Sequence, residues 1–159
     1  MNETPQSTVA SADRAEHALP PAAAWMGYLG LLPFFATALG VWIGPVWLAG
    51  WLLAYGAIIL SFVGAIHWGL VMGRGEASAA VFQASVVPAL VGWAALLVPT
   101  IVGLPVLVVA FIAWRVWEYR TVASAMPRWF RHLRTALTAG AVVALTGGWL
   151  ALLPFTGKG

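Results

Sequence analysis

From residue 23 onward the chain is written in apolar blocks separated by short polar or Gly-Pro breaks, with no alternation of the kind a strand needs. Most blocks are close to the roughly 20 residues that carry a helix across a bilayer, and the second is longer than a bilayer needs. The breaks predict five transmembrane helices, at 23–43, 46–73, 81–98, 105–122 and 135–155. Pro33 should kink the first and Pro88 lies inside the third, because proline withholds a helix donor. Gly44-Pro45 is a tight turn, Arg74 to Ala80 a polar loop, and Pro99 to Leu104 a second turn. Residues 1–22 are polar and mixed in charge and read as a disordered tail; residues 156–159 are a stub. The expected fold is therefore all-α, a polytopic membrane protein built as a bundle of five transmembrane helices.

The second block has the strongest internal pattern. Ala57, Ser61, Ala65, Gly69 and Gly73 recur every four residues and should form a stripe of small side chains for close helix packing. Ile58, Phe62, Ile66 and Leu70 form a bulky stripe beside it, suited to lipid or core. A third row holds Gly56, Leu60, Gly64, His67 and Arg74. A helix with a close-packing face and a face bearing a polar group belongs inside a bundle. This one is expected at its centre.

Composition fixes the solvent. Of 159 residues, 62% are hydrophobic and 8% charged, and the mean hydropathy is +0.89. Soluble domains carry about 25% charged residues. Ten tryptophans fit a chain with two membrane interfaces. The absence of cysteine excludes disulfides, iron–sulfur clusters and thiolate zinc sites. With five spans, Arg14, Arg74, Arg120, Arg128, Arg131 and Arg134 fall on one side and Lys158 on the other. Positive residues stay inside, which predicts a cytoplasmic amino terminus and a bacterial inner-membrane location, or the mitochondrial inner membrane with that side facing the matrix. The net charge of +3 is thus a topology signal and not a nucleic-acid footprint. In 126–134, Trp129, Phe130 and Leu133 share one arc and Arg128, Arg131 and Arg134 the other. That segment is expected to lie on the membrane surface, where the arginines set topology or hold anionic lipid.

Few polar groups fall inside the spans. His67 lies near the inner end of the second helix, and Arg115 and Glu118 near the inner end of the fourth, three apart and on one face. Gln83, Ser85, Thr135 and Thr138 start helices at that level, and Trp68, Trp114 and Trp117 surround it. The candidate polar cluster is therefore His67, Arg115, Glu118, Gln83, Trp68 and Trp114. It is either a structural ion pair with a satisfied histidine, or a pocket for a small molecule or lipid headgroup with Arg115 as anion partner. A proton path through His67 and Glu118, or haem on His67, is less well served, since His132 alone is left as a second imidazole within the helical region and sits at the surface. No His-Glu-x-x-His, P-loop, dinucleotide fingerprint or nucleophile elbow is present, and the one aspartate, Asp13, is in the tail. No enzyme activity, cofactor or metal is expected.

Three stretches carry a family resemblance: Gly30-Leu31-Leu32-Pro33-Phe34, the run from Tyr55 to Gly69, and Trp129-Phe130-Arg131-His132-Leu133-Arg134 leading into Leu137-Thr138. In that order and spacing they resemble the domain-of-unknown-function family 3429, the transmembrane protein 69-like integral membrane proteins, over roughly Pro20 to Phe155. Ala136 stands where that family is expected to have proline. The resemblance implies a small polytopic membrane protein and brings no catalytic residues. Two functions follow as expectations. One is a non-catalytic accessory, assembly or interaction subunit of a larger membrane complex, its partners the lipid bilayer and a membrane protein. The alternative is a binder or carrier of a small amphipathic ligand or lipid.

Overall fold

The computed structural model describes residues 21–74, 79–121 and 126–156, and all of its regular structure is helical. The helices are α1 (Pro21–Leu29), α2 (Leu32–Ile43), α3 (Leu48–Arg74), α4 (Ala79–Leu96), α5 (Thr100–Thr121) and α6 (Arg128–Thr156). Ala24–Ile43 taken together, Leu48–Gly69, Thr100–Thr121 and Arg128–Leu153 are long and apolar enough to cross a membrane; Ala80–Leu96 is apolar but shorter. Large apolar side chains cover the outside, among them Trp42, Ile58, Phe62, Val109 and Val143. Such a surface is at home in hydrocarbon, and the protein is a multi-pass membrane protein.

The expected first helix is two helices. Pro33 has no N–H to return to the Leu29 carbonyl, and the chain turns at Gly30–Leu31 before restarting with proline in its first turn. The break is held from outside. The Tyr55 hydroxyl on α3 donates to the Gly30 carbonyl at 2.8 Å, and its ring packs edge-on against Phe34 at 4.9 Å. The tail expected at 1–22 lies outside the described residues except for Pro21 and Ala22, which already belong to α1.

Two other boundaries move for reasons visible in the hydrogen bonds. α5 starts at Thr100 and takes Pro105 inside it, because Pro99 supplies the first acceptor: its carbonyl receives the N–H groups of Val102 and Gly103 at 2.8 and 3.0 Å. Pro105 then leaves the Ile101 carbonyl without its helical donor, and the indole of Trp149 on α6 supplies one at 2.9 Å. At the last helix, the Pro127 carbonyl accepts from Arg131 at 3.2 Å, and Arg128–Thr156 runs as one uninterrupted helix. The segment at 128–134 is therefore the first two turns of α6 and not a separate surface turn.

α3 is the hub, packing against α2, α4, α5 and α6. The core lies along it: Leu52, Leu60, Leu104, Leu107, Leu145 and Phe34 are fully buried. The row Gly56, Leu60, Gly64 and His67 is buried throughout, so the third row is the packing face. The small-residue stripe is not. Ala57 is buried and Ser61 half-buried, but Ala65 and Gly69 are exposed, and a Cβ added at Gly69 meets nothing within 4 Å. The exposure of Gly73 lies outside what the structure describes. The physical reason is periodicity: at about 100° per residue a spacing of four drifts about 40° per step, so a long stripe of fours winds off any one neighbour. The buried row uses steps of four, four and three and stays in register. Its glycine is where α3 meets α4. A Cβ at Gly64 would stand 2.6 Å from the Ser85 carbonyl oxygen, and one at Gly92 would stand 3.0 Å from that of Ala57.

Candidate functional site

At the end of the bundle where α3 and α5 finish and α6 begins, four ionisable side chains meet. Glu118 is 1% exposed and His67 fully buried. Arg134, 5% exposed, donates through one Nη2 to both Glu118 oxygens, at 3.1 and 3.2 Å. Arg115 reaches the same carboxylate from α5 at 3.4 Å. The His67 Nε2 stands 3.4 Å from Glu118 Oε1, outside hydrogen-bond geometry. Two guanidinium groups thus share one carboxylate, and with a neutral imidazole the cluster carries a formal charge of +1.

Arg115 is held by more than the ion pair. Its Nη2 donates to the Thr135 hydroxyl at 2.7 Å and to the Arg131 carbonyl at 3.2 Å, while Thr135 itself donates to that carbonyl at 2.9 Å. The start of α6 is thereby tied to the end of α5 through backbone as well as charge. His67 is held by aromatic edges. Its ring centroid lies 5.2 Å from Trp114 and 5.7 Å from Trp117, which stack on each other at 4.6 Å. The imidazole packs as an aromatic, and the Trp114 Nε1 is buried with no hydrogen-bond partner among the described residues.

The structure brings His67, Arg115, Glu118 and Trp114 together, and it separates the other two expected members. Gln83 is on an exposed face of α4. Trp68 is 47% exposed and packs edge-on against Phe82 at 5.4 Å. Both begin from a correct depth; what differs is the direction in which the helix presents them. The opposite correction applies to Arg134. Read as one of three surface arginines, it is buried and is the closest cation to Glu118, whereas Arg128 is exposed and Arg131 half-buried. The signal for Arg134 was present. The inward row of α6, followed back from Leu152 through Gly148, Leu145, Ala141 and Thr138 in alternating steps of four and three, lands on it.

A cavity of about 390 Å³ adjoins the cluster, between α1, α2, α3 and α6. Its wall is apolar apart from Arg134 and Thr138, with Leu31, Phe34, Ile59 and Leu137 typical of it. A smaller one of about 280 Å³ lies on the other side of Trp114 and Trp117, against Pro88 of α4.

Residues 19–150 match the DUF3429 family, whose description is protein of unknown function. Transmembrane protein 69 of Xenopus tropicalis is 34% identical over 137 residues, which is 80% of this chain and 53% of the relative. The chain thus spans about half the length of that curated relative. No solved structure matches. The family match runs from the residues just before α1 to the last turns of α6 and so includes the whole polar cluster: the chain belongs to the DUF3429 family of membrane proteins.

Proposed function

We propose that this protein is a non-catalytic interaction or assembly subunit of a larger membrane complex. It crosses the bilayer five times, α1 and α2 sharing the first crossing and α4 making the third. The setting is the bacterial inner membrane with the amino terminus in the cytoplasm, or the mitochondrial inner membrane in the equivalent orientation. The observation that carries the proposal is the commitment of Glu118 to the protein's own helices. Both oxygens of Glu118 are engaged by Arg134 and Arg115, so the one described carboxylate inside the bundle is committed to joining α5 and α6. With that acid spent on joining two of its own helices, the protein is read as acting through its surface. The exposed small face of α3 at Ala65 and Gly69, beside the exposed Trp68, offers a partner helix a close approach.

The test is Gly69→Leu, examined in native membranes by blue-native electrophoresis. The variant should accumulate normally yet leave the high-mass species that contains the wild-type chain. If wild type runs only as a free subunit, or the variant stays in the complex, the proposal fails. A reporter fused after Gly159 should be active on the outer side of the membrane; activity on the inner side overturns the orientation.

A further inference from the structure

The larger cavity has three properties that together define an occupant. Its volume of about 390 Å³ lies within the roughly 300–1,000 Å³ of small-molecule sites. Its wall is hydrocarbon except at one end, and a water needs two to four polar partners that such a wall does not offer. Its rim opens sideways, where Met26 and Phe62 are 76% and 64% exposed to the surroundings, so it is reached from within the bilayer.

The polar end supplies the chemistry. Arg134 lines the cavity, is nine-tenths buried, and uses only Nη2 on Glu118. Its Nε–H is buried with no hydrogen-bond partner among the described residues. An unpaired guanidinium donor in an apolar surround is costly and calls for an oxygen acceptor. The charge count of the cluster, two guanidiniums to one carboxylate, calls for that acceptor to belong to an anion. Arg131 and Trp129 follow on toward the start of α6, the residue types found at headgroup level.

We propose that this cavity is a lipid site, holding one acyl chain of an anionic phospholipid whose ester and phosphate oxygens face Arg134 and Arg131. The occupant is taken from the bilayer through the Met26–Phe62 rim, with its chain along Ile66, Leu137 and Phe34. The site is separate from the exposed face of α3 assigned to a partner helix, and each stands without the other.

The experiment uses the full chain reconstituted in nanodiscs with phosphatidylglycerol or phosphatidylcholine bearing a photoactivatable diazirine in one acyl chain, followed by peptide mass mapping. Phosphatidylglycerol should label Met26, Phe62 or Leu137 roughly fivefold more than phosphatidylcholine does, the discrimination of about one arginine contact. Labelling of Leu90 and Trp93, on the outward face of α4, should be equal for the two lipids. Thr138→Phe and Ala141→Phe, which fill the cavity without touching the ion pairs, should abolish the cavity adducts and leave the α4 adducts. Equal labelling by both lipids at the cavity, or adducts that survive the fillings, overturns the proposal. So does displacement of the label by an isoprenoid quinone and not by unlabelled phosphatidylglycerol. If the filled variants do not fold, the comparison of the two lipids on the wild-type chain decides alone.

Discussion

Arg134 donates to both carboxylate oxygens of Glu118, at 3.1 and 3.2 Å, from the second turn of α6 to the last turn of α5. The pair is buried on both sides, so its members are stable only in each other's company.

Removing the carboxylate alone should be the most damaging change at the site. Glu118→Leu strands the buried Arg134 guanidinium, while Arg115 keeps Thr135 and the Arg131 carbonyl, and is expected to cost about 3–5 kcal/mol, whereas Glu118→Leu with Arg134→Leu should recover most of it. Arg115→Leu alone should cost less, because Arg115 is partly exposed and its loss leaves Glu118 with Arg134. Thermal unfolding in one detergent, followed by the fraction surviving gel filtration, ranks the variants. A double variant no better than Glu118→Leu contradicts the assignment of the pair.

His67 is expected to act through shape. Neither ring nitrogen makes a hydrogen bond of ordinary geometry, while the ring edge fills the space against Trp114 and Trp117. His67→Leu should therefore be mild and His67→Ala should lose about 2–4 kcal/mol to the void left behind. If leucine is as damaging as alanine, the approach of Nε2 to Glu118 is the part that matters.

Gly64→Leu should prevent α3 and α4 from closing, because the added atoms meet the Ser85 carbonyl, and backbone cannot swing aside. Gly69→Leu should leave the unfolding temperature of the isolated chain unchanged. Equal loss in both variants means that Gly69 also packs within the chain.

The indole donor to α5 gives a cycle. Trp149→Phe leaves the Ile101 carbonyl open and should cost about 1–2 kcal/mol, in the range of buried bonds between membrane helices. Pro105→Ala returns a backbone donor to that carbonyl, so the same tryptophan change made on the Pro105→Ala background should cost markedly less. An unchanged cost shows that the tryptophan contributes only packing.

Much of this was legible. The hydropathy blocks locate the helical regions though not the break between α1 and α2 or the start of α6, and the all-α class, the central place of α3 and the meeting of His67 with Arg115 and Glu118 come from depth and spacing. What was not legible depends on direction and partners. Arg134 looks like a surface residue because arginines three apart beside Trp129 and Phe130 are what an interfacial helix also shows. Only the count of charges, one intramembrane acid within reach of more than one cation, or the inward row of α6 followed backwards, separates the two. Gln83 and Trp68 have the right depth, but depth says nothing of azimuth. The break at Gly30 was half visible: Pro33 announces a disturbance, whereas its becoming a full restart depends on Tyr55, a residue of another helix that holds the open turn.

The same dependence gives the last helix a second meaning. Trp149 satisfies a carbonyl of α5, and the Trp42 indole of α2 in turn donates to Gly147 of α6 at 3.0 Å. Synthesis runs from the amino end, so α2 and α5 enter the bilayer before either bond exists. Until α6 has joined the bundle, the Ile101 carbonyl of α5 lacks its indole donor and the Trp42 indole of α2 lacks its acceptor. α6 is thus the clasp of the bundle: its arrival supplies the donor that α5 lacks and the acceptor that the α2 indole lacks, so the helices before it reach their full complement of polar contacts only once it is in place.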